Sequence, residues 1–280
     1  MTTETPLSFD CRGAPLVGIV HRGRVPGKRG VLIVVGGPQY RAGSHRQFLL
    51  LARALADAGI PAMRFDQRGI GDSGGEFPGF EALDDDIRSA IDAFAAAVPE
   101  IEEVVLWGLC DAASAILFYA HRDPRVAGAV LLNPWVRSES GYAKTQLKHY
   151  YLRRLASRDL WRKILGGRFE LAGSLASFLG IVRKAKSETS GGANGAGNPL
   201  AERMAEGFRR FARPVLLIVS GNDLTAREFD DAAKSSPGWR DAVRSGRLAR
   251  CDLPGADHTF SRRTWRDQVA AWTRDWVEGL

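Results

Sequence analysis

The sequence predicts an α/β protein, with a mostly parallel central sheet, helices on both of its faces and a helical segment inserted late in the chain. Three observations carry that prediction. Through the first 133 residues, short runs of β-branched and other apolar residues alternate with amphipathic stretches of ten or more, as in parallel sheets covered on both sides. After Asn133 the alternation stops and an arginine-rich segment follows. It resumes at "PVLLIVSG", and 280 residues suffice for one large domain with an insertion. The expected layout is a core made of residues 1–133 and 213–280, with residues 134–212 as a basic helical lid containing a flexible loop near 187–199.

Each element has its own signal. "LSFDC" and "LVGIVHR", separated by Arg12-Gly13-Ala14-Pro15, read as an N-terminal hairpin. "GVLIVVGG" reads as a buried strand. Ser44 with Gln47 forms a predicted capping box, ahead of a helix that places Phe48, Leu51 and Leu55 on one face and closes at Gly59. "PAMRFD" is the next strand, and Leu83, Ile87, Ile91 and Phe94 mark an amphipathic helix ending near Pro99. The strand "EVVLWG" leads into a helix through "ASAILFYAH", followed by the strand "VAGAVLLN". The inserted segment holds a helical stretch, "KTQLKHYYLRRLA", and the low-complexity piece "SETSGGANGAGNP". Beyond it come "PVLLIVSG", a helix, "GRLARCDLP", and a last helix with Trp265, Val269, Trp272 and Trp276 on its packing face.

Chemistry enters at "VVLWGLCDAASA". A strand breaks at Gly108, presents Cys110 and turns helical, with small residues two before and two after the cysteine. That is the spacing of a nucleophile elbow, where a sharp strand-to-helix turn exposes the nucleophile. The second small residue is Ala112 in place of glycine. A cysteine nucleophile needs a base and a group to orient that base. Asp223, just past the strand "LLIVS", and His258, just past "RLARCDLP", supply them in the order nucleophile, acid, histidine. Loops at the carboxyl ends of parallel strands meet along one edge of a sheet, so residues this far apart in sequence can converge. For an oxyanion, the N–H of Asp111 at the helix start and the N–H of Gly37 in "VVGGPQYRAG" are the expected donors. At a helix N-terminus beside an imidazole, a thiol is expected to fall from about 8.5 toward the range of reactive thiolates.

These residues resemble the α/β-hydrolase superfamily. "DQRGIGDSGG" at 66–75 is similar to its D-x-R-G-x-G-x-S loop, and "VGGP" at 35–38 is similar to its H-G-G-P oxyanion loop, with Val35 in place of histidine. More narrowly, the "GLCDAAS" elbow, the "VGGPQYRAGSHRQF" segment and the arginine-rich insertion resemble the first of two hydrolases associated with the bacterial exosortase A and PEP-CTERM sorting system. That resemblance implies a cytoplasmic hydrolase-like enzyme encoded among exopolysaccharide genes, and names no substrate.

Each signal has a competitor. Cys110 reads otherwise as a core thiol, His258 as a loop histidine, and Asp223 as the cap of the helix beginning near Thr225. Asn133, at the end of the strand before the insertion, occupies a place where a carboxylate would serve, but it is an amide, which favours Asp223. "GIGDSG" at 69–74 satisfies a dinucleotide-binding pattern, yet Gly75 to Gly79 intervene where a helix would have to begin. The histidines form no ligand pattern with Cys, Asp or Glu, so neither a metal nor a cofactor is expected. The three cysteines, Cys11, Cys110 and Cys251, fit a reducing compartment better than a disulfide framework. Without a leader pattern or a long apolar run, a cytoplasmic location is expected.

The net charge of +7 is unevenly spread. Residues 137–213 hold 16 Lys and Arg against 6 Asp and Glu, so this segment carries +10 and the remainder −3. The basic segment reads either as a solvated surface or as an attractor for an anionic acyl donor, a coenzyme A ester or carrier-linked group among them, and it offers a place for peripheral membrane contact. Its aromatic residues fall within helical runs, which argues for packing and against nucleic acid. The leading expectation is a cofactor-free hydrolase that cleaves a small-molecule ester or thioester through an acyl-cysteine. Acyl transfer from the same intermediate and a catalytically silent scaffold of a polysaccharide locus are the alternatives.

Overall fold

The computed structural model describes residues 2–136, apart from 24 and 38, and residues 199–280. The helical stretch at "KTQLKHYYLRRLA" and nearly all of the predicted loop at 187–199 lie outside the described residues. The ordered elements, in chain order, are β1 (Thr3–Cys11), β2 (Ala14–Arg22), β3 (Arg29–Val34), α1 (Gln47–Asp57), β4 (Ala62–Phe65), α2 (Asp84–Ala97), β5 (Glu103–Leu109), α3 (Asp111–Tyr119) and β6 (Val126–Leu132). They continue with α4 (Pro199–Arg210), β7 (Val215–Ser220), α5 (Leu224–Ser235), α6 (Pro237–Arg244), β8 (Leu248–Leu253) and α7 (Arg263–Glu278).

The strands form one sheet in the order β1-β2-β4-β3-β5-β6-β7-β8. The predicted hairpin is β1 and β2, antiparallel with Cys11 opposite Ala14. β2 is antiparallel to β4, and every pairing from β4 to β8 is parallel. Alternation along the strands splits the core in two. Leu32, Val34 and Leu106 face α2 and α3 through Ile87, Ile91, Phe94 and Ile116. Val31, Ile33, Val105 and Trp107 face α1 and α7 through Phe48, Leu51, Leu55, Val269 and Val277. Burying each such side chain contributes about 1.5–3 kcal/mol. Phe48 and Trp107 meet edge to face with centroids 5.6 Å apart, and the Trp107 indole donates to Thr273 Oγ1 of α7 at 3.3 Å. Trp265, Trp272 and Trp276 pack, partly buried, against this second cluster, as their spacing predicts.

Two local details differ from the sequence reading. The capping box does not form: Ser44 to Arg46 make a single 3-10 turn, the Ser44 hydroxyl engages Gln39 Oε1 at 3.1 Å, and α1 starts at Gln47 without a side-chain cap. His45 and Arg46 sit at φ 53° and 59°, which moves Gln47 from the third helical position to the first. Of the segment assigned to the lid, residues 199–210 form α4, which buries Met204 and Phe208 in the core beside α3. The Trp239 indole of α6 donates to Ala201 O at 2.9 Å and joins α4 to α6.

β3 lies between β4 and β5, so the chain leaves it on one side and returns on the other. That reversal is the switch point at which open parallel sheets form a crevice at their carboxyl ends. The segments after β3, β5, β7 and β8 all emerge at this edge. Among the described residues no helix is long and apolar enough to cross a membrane.

Candidate active site

Cys110 stands between β5 and α3 with φ 65° and ψ −126°, a conformation that residues with a Cβ adopt only where the surroundings enforce it. Enforcement is visible in the backbone. The Cys110 N–H donates to Leu132 O at 2.9 Å, and its carbonyl accepts from Ala113 N–H at 3.1 Å and Trp135 N–H at 3.2 Å. Gly108 has to be glycine: a Cβ there would lie 2.7 Å from Ile116 Cδ1 and 3.0 Å from the Ala113 nitrogen. Ala112 is fully buried, and its methyl group fits the place where the usual pattern has a second glycine. The thiol of Cys110 is partly exposed at the crevice.

Asp223 and His258 arrive from β7 and β8. Asp223 is the N-cap of α5: Oδ1 accepts from Thr225 N–H at 3.2 Å, and Oδ2 from Ala226 N–H at 3.0 Å. The same Oδ2 lies 2.8 Å from His258 Nδ1, so capping and contact with histidine occur together. Burial opposes charge on His258, but hydrogen bonds to Asp223 and to Cys110, with the charges behind them, outweigh it and push the imidazole up to about 10. The ring therefore pairs with the carboxylate at Nδ1 and responds to Cys110 as well. Burial pushes the thiols of Cys11 and Cys251 up.

Asn133 is a residue whose part sequence reasoning missed. Fully buried at φ 42°, it donates from Nδ2 to His258 O at 3.0 Å, and its Oδ1 accepts from Ser220 N–H at 2.9 Å. One amide thus ties the end of β6 to the end of β7 and to the loop that carries the histidine. The only hint in the sequence is its position at the end of a strand, where its amide was weighed against a carboxylate.

The "DQRGIGDSGG" segment curls around Asp66. Its buried carboxylate accepts from Arg41 N–H at 2.6 Å and Asp72 N–H at 3.0 Å and pairs with the Arg41 guanidinium. Arg68 makes a forked pair with Asp86, and the Gln67 amide donates to Val35 O. The glycines of the dinucleotide-like pattern thus belong to a brace against the segment after β3, and α2 begins only at Asp84. Of the two expected oxyanion donors, the Gly37 N–H donates at 2.7 Å to Asp111 Oδ1, a side chain that the sequence reading used only for its backbone.

A family model described as serine aminopeptidase, S33 matches residues 27–168. No curated relative matches the sequence significantly. Among solved structures, the Pyrococcus furiosus esterase Pf2001 superposes with a TM-score of 0.65 at 14% identity, over 99% of this chain and 90% of that one. Est1E from Butyrivibrio proteoclasticus, with ferulic acid bound, gives 0.62 at 14% over 98% of each chain. Dienelactone hydrolase from Anabaena variabilis gives 0.61 at 15%, over 99% of this chain and 98% of that one. At such identities the likeness is one of fold.

Proposed function

The chain belongs to the serine aminopeptidase S33 family of hydrolases and has the α/β-hydrolase fold; from that premise we propose that it cleaves a small-molecule ester or thioester through Cys110, His258 and Asp223. The family description names a serine, and the elbow of this chain carries a cysteine. The observation that supports the reading is the contact of Asp223 Oδ2 with His258 Nδ1 at 2.8 Å, on a ring whose proton affinity is also raised by Cys110. In this reading the Cys110 thiolate attacks the acyl carbonyl, forming a C–S bond and an oxyanion. Collapse expels the alkoxide or thiolate, which takes the proton of His258 Nε2. His258 then removes a proton from water, which attacks the thioester and releases the acid and free Cys110. Asp223 holds the tautomer and the charge of the ring.

A thioester intermediate is also open to amines, thiols and hydroxyls, and because the nucleophile is sulfur, acyl transfer is the second reading. We further assign the chain to the exosortase-associated hydrolases, with a cytoplasmic role beside exopolysaccharide synthesis, on the strength of the "GLCDAAS" and "VGGPQYRAGSHRQF" segments. The test is incubation with p-nitrophenyl and coenzyme A esters of graded chain length, followed by intact-mass detection of the adduct. Acylation confined to Cys110 and abolished in Cys110→Ala is the expected result. Turnover by Cys110→Ala at the wild-type rate would overturn the proposal, and a Cys110 no more reactive to iodoacetamide than Cys11 or Cys251 would favour a silent scaffold.

A further inference from the structure

The Gly37 N–H, one of the two donors expected for a substrate oxyanion, is already taken by a side chain of the protein itself. Asp111 turns its carboxylate back over the start of α3, where Oδ1 takes the Gly37 N–H at 2.7 Å and the N–H groups of Ala112 and of Asp111 itself also favour its charged form. Oδ1 is set against Gly36, where an added Cβ would fall 2.5 Å from it and 2.3 Å from Leu109 O. Glycine at 36 thus makes the room this oxygen occupies. Resting on the acyl-cysteine reading above, we propose that Asp111 is a self-ligand of the oxyanion pocket and a specificity-determining residue: an acyl donor reacts only if its other contacts displace this carboxylate.

The arrangement has a physical basis. A carboxylate at a helix N-terminus is favoured by the exposed N–H groups and the helix dipole, and a tetrahedral oxyanion seeks the same donors. The two compete for one site, and while the carboxylate stays ionised nearby it also repels the developing negative charge. Burial pushes the Asp111 carboxyl up, against the pull of the backbone hydrogen bonds from Gly37, Ala112 and Asp111 itself and of the charge on His258. A simple ester has little binding energy to spend on displacement, so it reacts slowly. A donor held firmly along its length can exchange its carbonyl oxygen for the carboxylate, which selects against small esters.

The test compares kcat/KM for p-nitrophenyl acetate in wild type, Asp111→Ala, Asp111→Asn and Cys110→Ala. Asp111→Ala removes the carboxylate and keeps the backbone N–H groups it occupied, so a rise of about tenfold is expected. Asp111→Asn retains an oxygen but loses the charge, and a rise of about threefold is expected; it also decides the matter if the alanine variant fails to fold. No rise, or a fall, in the folded variants, while Cys110→Ala is inactive, would overturn the self-ligand and leave the acyl-cysteine reading standing. Undiminished turnover by Cys110→Ala would overturn both.

Discussion

A single carboxylate at position 223 both caps α5 and holds His258, so its loss is felt twice. Asp223→Asn keeps an oxygen for the cap but loses the charge that orients the ring. By analogy with serine triads, kcat is expected to fall on the order of 10⁴-fold with the fold intact, as steady-state kinetics and circular dichroism will report. The raised pKa of His258 sets a second expectation. Its charged contact with Asp223 is complete below the ordinary histidine value of about 6.5 and is lost as pH rises through about 10, so the alkaline limb of kcat/KM lies near 10 in the wild type. In Asp223→Asn the hydrogen bond that lifts the ring is weakened, and the limb moves to lower pH. Asn133→Ala removes the tie between Ser220 and the His258 loop, leaving buried partners unsatisfied. A stability loss of about 1–3 kcal/mol in urea titration is expected, with a drop in turnover.

At the scale of elements, the elbow depends on how closely β5 and α3 approach. Gly108→Val would drive its side chain into Ile116 and the α3 backbone, and overpacking of this kind costs about 1–3 kcal/mol. A lower melting temperature together with slower Cys110 alkylation is expected, because the turn that exposes the thiol opens. The strands, most of the helices and the elbow were legible in the sequence because each rests on local pattern: apolar runs, period-3.6 faces, and small residues on either side of Cys110. The approach of Asp223 to His258 was legible only through topology, since loops after β7 and β8 share an edge whatever their sequence. What could not be read are contacts made by side chains that fold back. Asp111 at the first position of a helix looks like an ordinary dipole-favoured acid, and nothing in "GLCDA" says that it reaches Gly37. The failed capping box has the same origin, since Ser44 finds Gln39, a partner five residues earlier, and Arg46 takes a left-handed turn.

Taken as a whole, the molecule is charge-asymmetric, with +10 in residues 137–213 and −3 elsewhere. If that segment attracts an anionic acyl donor, raising salt from about 20 to about 300 mM is expected to raise KM for a coenzyme A ester with little change in kcat, while p-nitrophenyl acetate hardly responds. Equal responses would leave the segment a solvated surface. The sheet carries a further consequence. β8 is the last strand of the sheet, with half its residues exposed, and its Arg250 pairs with Asp252 of the same strand and with Asp230 of α5. The loop bearing His258 hangs from this strand, whereas Cys110 hangs from β5 near the centre of the sheet. Peripheral strands open at lower free energy than central ones, so the machinery has a weak half and a strong half. In rising urea, turnover is expected to vanish before far-UV ellipticity changes, while the turn that carries Cys110 stays folded among its buried neighbours. The molecule would then release His258 while keeping Cys110 in place, and dilution would restore activity as fast as one strand can dock again.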